Sequence, residues 1–338
     1  MKLATYEVKT PLGRFRRLGA VLENHRILDL QLAYGHYLNS KFKRNRGQAL
    51  AAALMPTDIL EFLDGGAETL ALARETEQYA LELLDREGRL LGPGGEQIIY
   101  EPAEVILKAP VPRPGKIIHT GGNFGSHVKE FSETGWGEYR EWNKKAPTGF
   151  LEAPNIIIGP DEPIIYPRLT RQLDYEIEMA IVIGRRGRYI SREKAFDHIA
   201  GYTIFNDISA RDVQAVEHAN RMIMLGKSMD TFGPLGPFLV LKDEIDDPDN
   251  LGMVLKVNGE VRQEANTSDM VFSVAEMVAH WSGLTLEPGD IITTGTPSGV
   301  AAFREPDPEP YFLKPGDVIE AEVEKIGLLR NPVVAESD

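Results

Sequence analysis

The chain has 338 residues, 42% hydrophobic and 26% charged, the balance of a soluble globular protein with enough chain for one large domain or two ordinary ones. Cysteine is absent, which excludes disulfides, thiolate zinc sites and a cysteine nucleophile. The net charge of −14 argues against nucleic acid as the main partner.

No apolar run approaches the ~20 residues of a membrane span. The N-terminal MKLATYEVKT lacks the apolar centre of a secretory signal, so the cytoplasm is the expected location. Residues 1 to 32 alternate apolar and polar, with turns at Pro11-Leu12-Gly13 and Glu23-Asn24, and predict two or three short strands. The basic run Lys41 to Arg46 reads as a solvated face, or more weakly as an anion site. Leu50–Leu63 and Ala67–Arg86 are rich in Ala, Leu and Glu at helical spacing, with the breaker Asp64-Gly65-Gly66 between them. With Gly92-Pro93-Gly94-Gly95 closing this unit, residues 1–108 are expected to form a smaller N-terminal α+β domain.

The Pro-rich connector Pro110–Gly115 marks the boundary, and residues 113–338 form the expected second domain. Lys116–His119 is a short predicted strand, followed by a Gly-rich turn and a helix start that carries His127 and Glu130. This is not a phosphate loop, because neither the lysine nor the glycine spacing of one is present. At i and i+3 the two residues share a helix face, where Glu130 could orient His127 and raise its basicity. A surface His–Glu pair is the other reading. Residues 131–150 mix aromatics, charges and glycines without period, as a lid, an oligomer contact or a long surface loop would.

Arg171–Gly184 (RQLDYEIEMAIVIG) begins polar and ends as an apolar, β-branched strand. Glu176 and Glu178 then share one face, their Cα atoms about 7 Å apart. Two carboxylates on so apolar a strand need a cation or basic partners if the site is dry, and a hard divalent metal would serve. An edge strand with a solvated Glu face is the alternative. Ser191–Ile199 predicts a helix. Gly201–Asp212 predicts a strand breaking at Asn206-Asp207, where an acid could complete an oxygen-ligand set, or the pair could be a plain turn. Arg211, Gln214 and Lys227 follow closely. Asp243–Asn250 is acidic but lacks the spacing of a calcium loop. Asn258-Gly259 predicts a hairpin and Val271–Trp281 a helix. Gly295-Thr296-Pro297-Ser298-Gly299-Val300, after a strand, offers hydroxyls and backbone N–H groups as an anion or carbonyl cradle, or is a simple turn.

Taken in order, DYEIEMAIVIG, GYTIFNDISARDVQ, GKSMDTFGPLGP, VNGEVRQEANTSDMVF, LEPGDIITTGTPSGV and LKPGDVIEAEVEKIG resemble the fumarylacetoacetate hydrolase family over about residues 113 to 334. The resemblance implies a β-rich α+β catalytic fold, mixed sheets rolled around a metal site, in a homodimer. It implies Mg²⁺ or Mn²⁺ (Ca²⁺ could replace it in a crystal) bound by Glu176, Glu178 and Asp207. Arg211, Gln214, Lys227 and Thr296 match substrate contacts. His127 and Glu130 match the catalytic dyad of the acylpyruvate hydrolase branch.

Two departures bear on the substrate rather than on the metal: Val300 is followed by Ala301 instead of glycine, and Phe131–Ala153 is longer than in compact members. The implied activity is hydrolysis of a C–C bond in a 1,3-diketo acid of acylpyruvate, fumarylacetoacetate or fumarylpyruvate type. Lys227 would join the dyad in catalysis, and the implied substrates belong to aromatic catabolism. The alternative is a lyase or isomerase of the same family: an oxaloacetate-type decarboxylase, a 2-hydroxyhepta-2,4-diene-1,7-dioate isomerase or a sugar-acid dehydratase. A non-catalytic metal-binding protein is a third reading, and the full acid, base and cation set argues against it. The partner is a small 2-oxo or diketo acid, with neither nucleic acid nor membrane.

Overall fold

Isoleucine, valine, phenylalanine and tyrosine recur through the central strands, and glycine, asparagine and proline sit at several of the turns. The computed structural model describes residues 1–10, 13–43, 46–133 and 145–337. The chain starts with β1 (Lys2–Thr10), β2 (Gly13–Val21) and β3 (Ile27–Asp29), then helices α1 (Leu30–Phe42), α2 (Gly47–Leu54), α3 (Ile59–Asp64) and α4 (Gly66–Glu87). Next come β4 (Ile99–Tyr100), β5 (Val105–Leu107), β6 (Ile117–Gly121), α5 (Gly125–Glu133) and β7 (Thr148–Glu152). β8 (Ile157–Ile158), β9 (Ile164–Tyr166), β10 (Leu173–Asp174), β11 (Ile177–Ile183), β12 (Ile199–Asn206), β13 (Ser209–Ala210) and α6 (Arg211–Ala219) follow. The rest is β14 (Gly233–Leu241), β15 (Gly252–Val257), β16 (Glu260–Asn266), α7 (Val274–Trp281), β17 (Ile291–Thr293), β18 (Val318–Val323) and β19 (Gly327–Ala335).

The main sheet runs β4-β3-β2-β1-β14-β12-β11-β17-β6-β7, with β5 on β1 and β8 on β14. A second sheet runs β16-β15-β18-β19-β9. This is the β-rich α+β architecture expected. β11 lies between β12 and β17, and all seven of its residues are buried. A strand covered on both faces needs apolar side chains throughout, which explains its unbroken Met-Ala-Ile-Val-Ile run. Glu178 is fully buried within it, so the reading of a solvated edge strand does not hold.

The expected strand over 171–184 is interrupted. β10 and β11 are separated at Tyr175 and Glu176, where the Tyr175 N–H donates to the Asp174 carboxylate and the Glu176 N–H donates to Asn206 Oδ1 at 3.0 Å. Asn258 and Gly259 carry φ of 53° and 80° between β15 and β16, the left-handed pair that a tight hairpin requires. Ser191–Ile199 is a 3₁₀ stretch over Arg192–His198 rather than an α-helix. Only Ala195 in it is buried, so no apolar face rewards a regular helix.

At the N-terminus, Asp29 caps α1 by accepting the Leu32 N–H at 2.9 Å. This helix did not stand out in the sequence because Tyr34, Gly35, His36, Tyr37 and Asn39 are indifferent helix formers. It is held by burying Ala33, Tyr34, Tyr37 and Leu38. The division expected near residue 110 falls between β5 and β6. Pairing continues across it: Lys2 and Leu3 of β1 oppose Val240 and Leu239 of β14. One cluster of buried apolar residues likewise includes both Leu3 and Ile181.

Among the described residues no helix is long and apolar enough to cross a membrane. The lid or oligomer contact expected of residues 131–150 falls largely on 134–144, outside the described residues. At the sheet centre, Ile181→Ala is expected to cost about 2–5 kcal/mol in denaturant unfolding, the usual cost of a cavity in a tight core. A loss well under ~1 kcal/mol would show that this strand is not the packing centre.

Candidate metal-binding active site

The strands deliver acids to one place. Glu178 comes from within β11 and Glu176 from the break before it, while Asp207 lies just past β12. His119 comes from β6, and one potential ligand atom from each of His119, Glu176, Glu178 and Asp207 lies within 4.8 Å of the others. All four residues are buried.

Two cations serve this group. Arg211, at the start of α6, donates from Nη2 to Glu176 Oε1 at 2.6 Å and from Nε to Asp174 Oδ2 at 2.7 Å. Lys227 Nζ donates to Glu176 Oε2 at 2.8 Å and also to Asp207 Oδ2. Asp174 is satisfied further by the N–H groups of Ala301 and Ala302, at 2.8 and 3.1 Å. Gln214 Oε1 accepts from Arg211 Nη1 at 3.0 Å, one helical turn along.

Burial and charge divide the acids. Burial raises the affinity of Glu176 for a proton, but Lys227 and Arg211 outweigh it and hold its pKa well below the usual carboxylate range. Glu178 is raised well above that range by burial and by the neighbouring Asp207 and Glu176 charges. Asp207 is pushed up to about 7, chiefly by burial, with Lys227 opposing. Burial acts against the Lys227 ammonium too, yet Asp207 and Glu176 prevail and its pKa is raised. His119 drops to about 3 through burial, with Lys227 adding to the effect, so its imidazole is neutral and available as a ligand.

Glu178 Oε1 and Asp207 Oδ1 are buried oxygens without a hydrogen-bond partner. Such acceptors are costly in a dry interior unless a cation meets them. Carboxylate oxygens with one imidazole are the hard donor set that suits Mg²⁺ or Mn²⁺, so these residues fit a divalent ion.

The remaining expected residues surround this centre. The Thr296 hydroxyl donates to the Ile177 carbonyl at 2.9 Å and accepts from Gln263 Nε2 at 2.9 Å, so it is engaged within the loop. Gly295, at φ 79°, gives its N–H to Glu178 Oε2 at 2.8 Å. On α5, His127 Nδ1 lies 3.4 Å from Glu130 Oε2. Both Glu130 oxygens accept the Gly299 N–H, at 3.0 and 3.2 Å, joining α5 to the loop after β17. Phe303 connects the two halves, its ring centroid 5.4 Å from that of His127 and 5.9 Å from the Arg211 guanidinium carbon.

His119, Glu152 and Asp174 were not singled out in the sequence. Asp174 continues the alternation of Glu176 and Glu178 and could have been found there. His119 and Glu152 reach the site through β6 pairing with β17 and β7, contacts that have no local signature.

A buried carboxylate and imidazole cluster beside two cations, on a β-rich α+β fold, is the kind of centre that metal-binding enzymes build, and its residues fit a divalent ion. Residues 116–334 match the family described as Fumarylacetoacetate (FAA) hydrolase C-terminal. The chain belongs to the fumarylacetoacetate hydrolase family. It is 40% identical over 281 residues, covering 83% of this chain and 81% of the relative, to mitochondrial oxaloacetate tautomerase FAHD2A of Bos taurus. It is 37% identical over 337 residues, 98% and 100% of the two chains, to oxaloacetate tautomerase YisK of Bacillus subtilis (strain 168). Among solved structures it resembles maleylpyruvate hydrolase from Sphingobium sp. SYK-6 in complex with manganese (II) ion and pyruvate. That match has a TM-score of 0.66 and 28% identity and covers 100% of both chains.

An acid whose pKa is raised on folding stabilises the fold below its unfolded pKa and loses that contribution as pH rises through the folded value. For Asp207 the window runs from 3.8 to about 7. In EDTA, the melting temperature of the wild type is therefore expected to fall more steeply between pH 4 and 7 than that of Asp207→Asn. Equal slopes would show that Asp207 does not carry a raised pKa.

Proposed function

We propose that this protein is a divalent-metal-dependent enzyme that interconverts the keto and enol forms of a small 2-oxo acid of the oxaloacetate type. The observation that carries the reading is the buried Glu176–Glu178–Asp207 set with orphaned carboxylate oxygens beside Lys227 and Arg211. The names of the two relatives described above support the substrate class.

Glu176, Glu178 and Asp207, with His119 beside them, would hold the ion. When bound, such an ion would supply Lewis acidity toward the 2-oxo group, which would make the neighbouring C3 proton easier to remove. Arg211 and Lys227 place positive charge against the substrate carboxylate and the oxygen that gains charge. With Nδ1 turned toward Glu130, His127 exchanges a proton at Nε2. Glu130, itself fixed by the Gly299 N–H, keeps the ring oriented. Tautomerisation takes one proton from C3 and returns one to the C2 oxygen, so it needs no co-reactant. Gln214 and Thr296 line up Arg211 and the 295–299 loop and are proposed as substrate contacts.

A second reading is favoured by the His127–Glu130 pair. The same base could activate water against the distal carbonyl of an acylpyruvate, giving a carboxylic acid and pyruvate, and that is the Mg²⁺- or Mn²⁺-dependent C–C hydrolase. A homodimer is also proposed, and the exposed apolar side chains of Val216, Met222 and Met224, on and just after α6, are ones that a second copy would cover.

With Mg²⁺ or Mn²⁺, the protein is expected to speed the decay of enol absorbance of oxaloacetate, and EDTA to abolish this. Glu178→Ala should remove the activity with its circular dichroism unchanged; retained turnover would take the metal site out of the mechanism. His127→Ala should slow the reaction about 10²–10⁴-fold, the usual share of a general base, while leaving Mn²⁺ binding intact. Cleavage of an acylpyruvate without any effect on oxaloacetate would move the assignment to the hydrolase.

A further inference from the structure

A fourth carboxylate faces this centre. Glu152 ends β7, opposite Ile117 of β6, which sets it two residues across from His119 in the ladder. It is 3% exposed, and neither of its carboxylate oxygens has a hydrogen-bond partner. Oε1 lies 3.7 Å from His119 Nδ1, the same nitrogen that is 3.1 Å from Asp207 Oδ2. Glu152 is also within electrostatic reach of Asp207, Glu178 and Lys227.

The backbone is shaped to put it there. β7 approaches β6 so closely at Gly149 that a Cβ on that residue would stand 1.8 Å from the His119 carbonyl oxygen. Gly149 therefore permits the close spacing of the two strands, and the register carries Glu152 to the acid cluster. Two further buried, unpartnered oxygens, Glu178 Oε1 and Asp207 Oδ1, belong to the same cluster. A structural acid in a core would be tied by N–H donors or by an arginine, as Asp174 is here.

We infer that Glu152 is a fourth carboxylate of the cation site, binding the divalent ion directly or through one of its waters, with His119 held between Glu152 and the other acids. This rests on the metal reading above. Three carboxylates and an imidazole leave positions of a six-coordinate hard ion to be filled, and hard ions accept further carboxylate oxygens readily. Loss of such a supporting group typically weakens metal affinity 10–100-fold.

The test is titration calorimetry of the metal-free full chain with Mn²⁺ alone, for wild type, Glu152→Gln and Glu152→Asp. Circular dichroism and melting in EDTA would be followed in parallel. The inference predicts wild-type binding at one site, a 10–100-fold loss in Glu152→Gln, and no recovery in Glu152→Asp, which keeps the charge but shortens the reach. In EDTA, Glu152→Gln should melt no lower than wild type, because it removes a buried acid without partners. Affinity within twofold of wild type in Glu152→Gln would overturn the inference, as would full recovery in Glu152→Asp, which would reduce Glu152 to a remote charge. A wild type that fails to bind Mn²⁺ would instead overturn the metal reading itself. Should Glu152→Gln fail to fold, the role is structural and the inference also fails.

Discussion

The structure depends on keeping Asp174, Glu176, Glu178, Asp207 and Glu152 buried together while, among the described residues, Arg211 and Lys227 are the permanent cations hydrogen-bonded to them. Carboxylates taken from water are expensive unless paired. Asp174 and Glu176 meet that demand with arginine, lysine and backbone N–H groups. Glu178 and Asp207 do so only in part and Glu152 through no hydrogen bond, which leaves four buried carboxylate oxygens unpartnered. The buried oxygens that remain unpartnered are the ones that fit a divalent ion.

The fold supplies the rigidity this requires. β11 is flanked by β12 and β17, and the parallel pairing of β17 with β6 adds the strand that bears His119. Each donor thus leaves a paired strand or its immediate end, so the donors are positioned by ladders rather than by free loops. These strands are joined to α5, which carries His127 and Glu130, by the loop through Gly295 and Gly299, whose backbone N–H groups donate to Glu178 and Glu130. Under the proposed function, acids held on paired strands would bind the ion and His127 on α5 would handle the proton, an arrangement suited to enolisation, where charge and proton must be managed on the same few atoms.

Much of this was legible beforehand where the signal is local. The alternation of Glu176 and Glu178, the break at Asn206-Asp207 and the Asn258-Gly259 turn are all properties of a few adjacent residues. What stayed hidden depends on distant pairing. Nothing near Lys2 announces that β1 will lie beside β14 more than 230 residues later. Nothing near Glu152 announces that it will face Asp207, since β7 reaches the site only through β6. Helix α1 was obscured because its stability comes from packing rather than propensity. The substrate is the least legible feature, since one cluster of acids and cations would suit tautomerisation and hydrolysis alike.

The most direct test is anomalous diffraction from crystals grown with Mn²⁺. The account predicts one strong peak bounded by oxygens of Glu176, Glu178 and Asp207 at coordination distance, with the Lys227 ammonium displaced from between Glu176 and Asp207 or sharing them. No peak among these carboxylates, in a crystal where Mn²⁺ binds elsewhere on the chain, would contradict it.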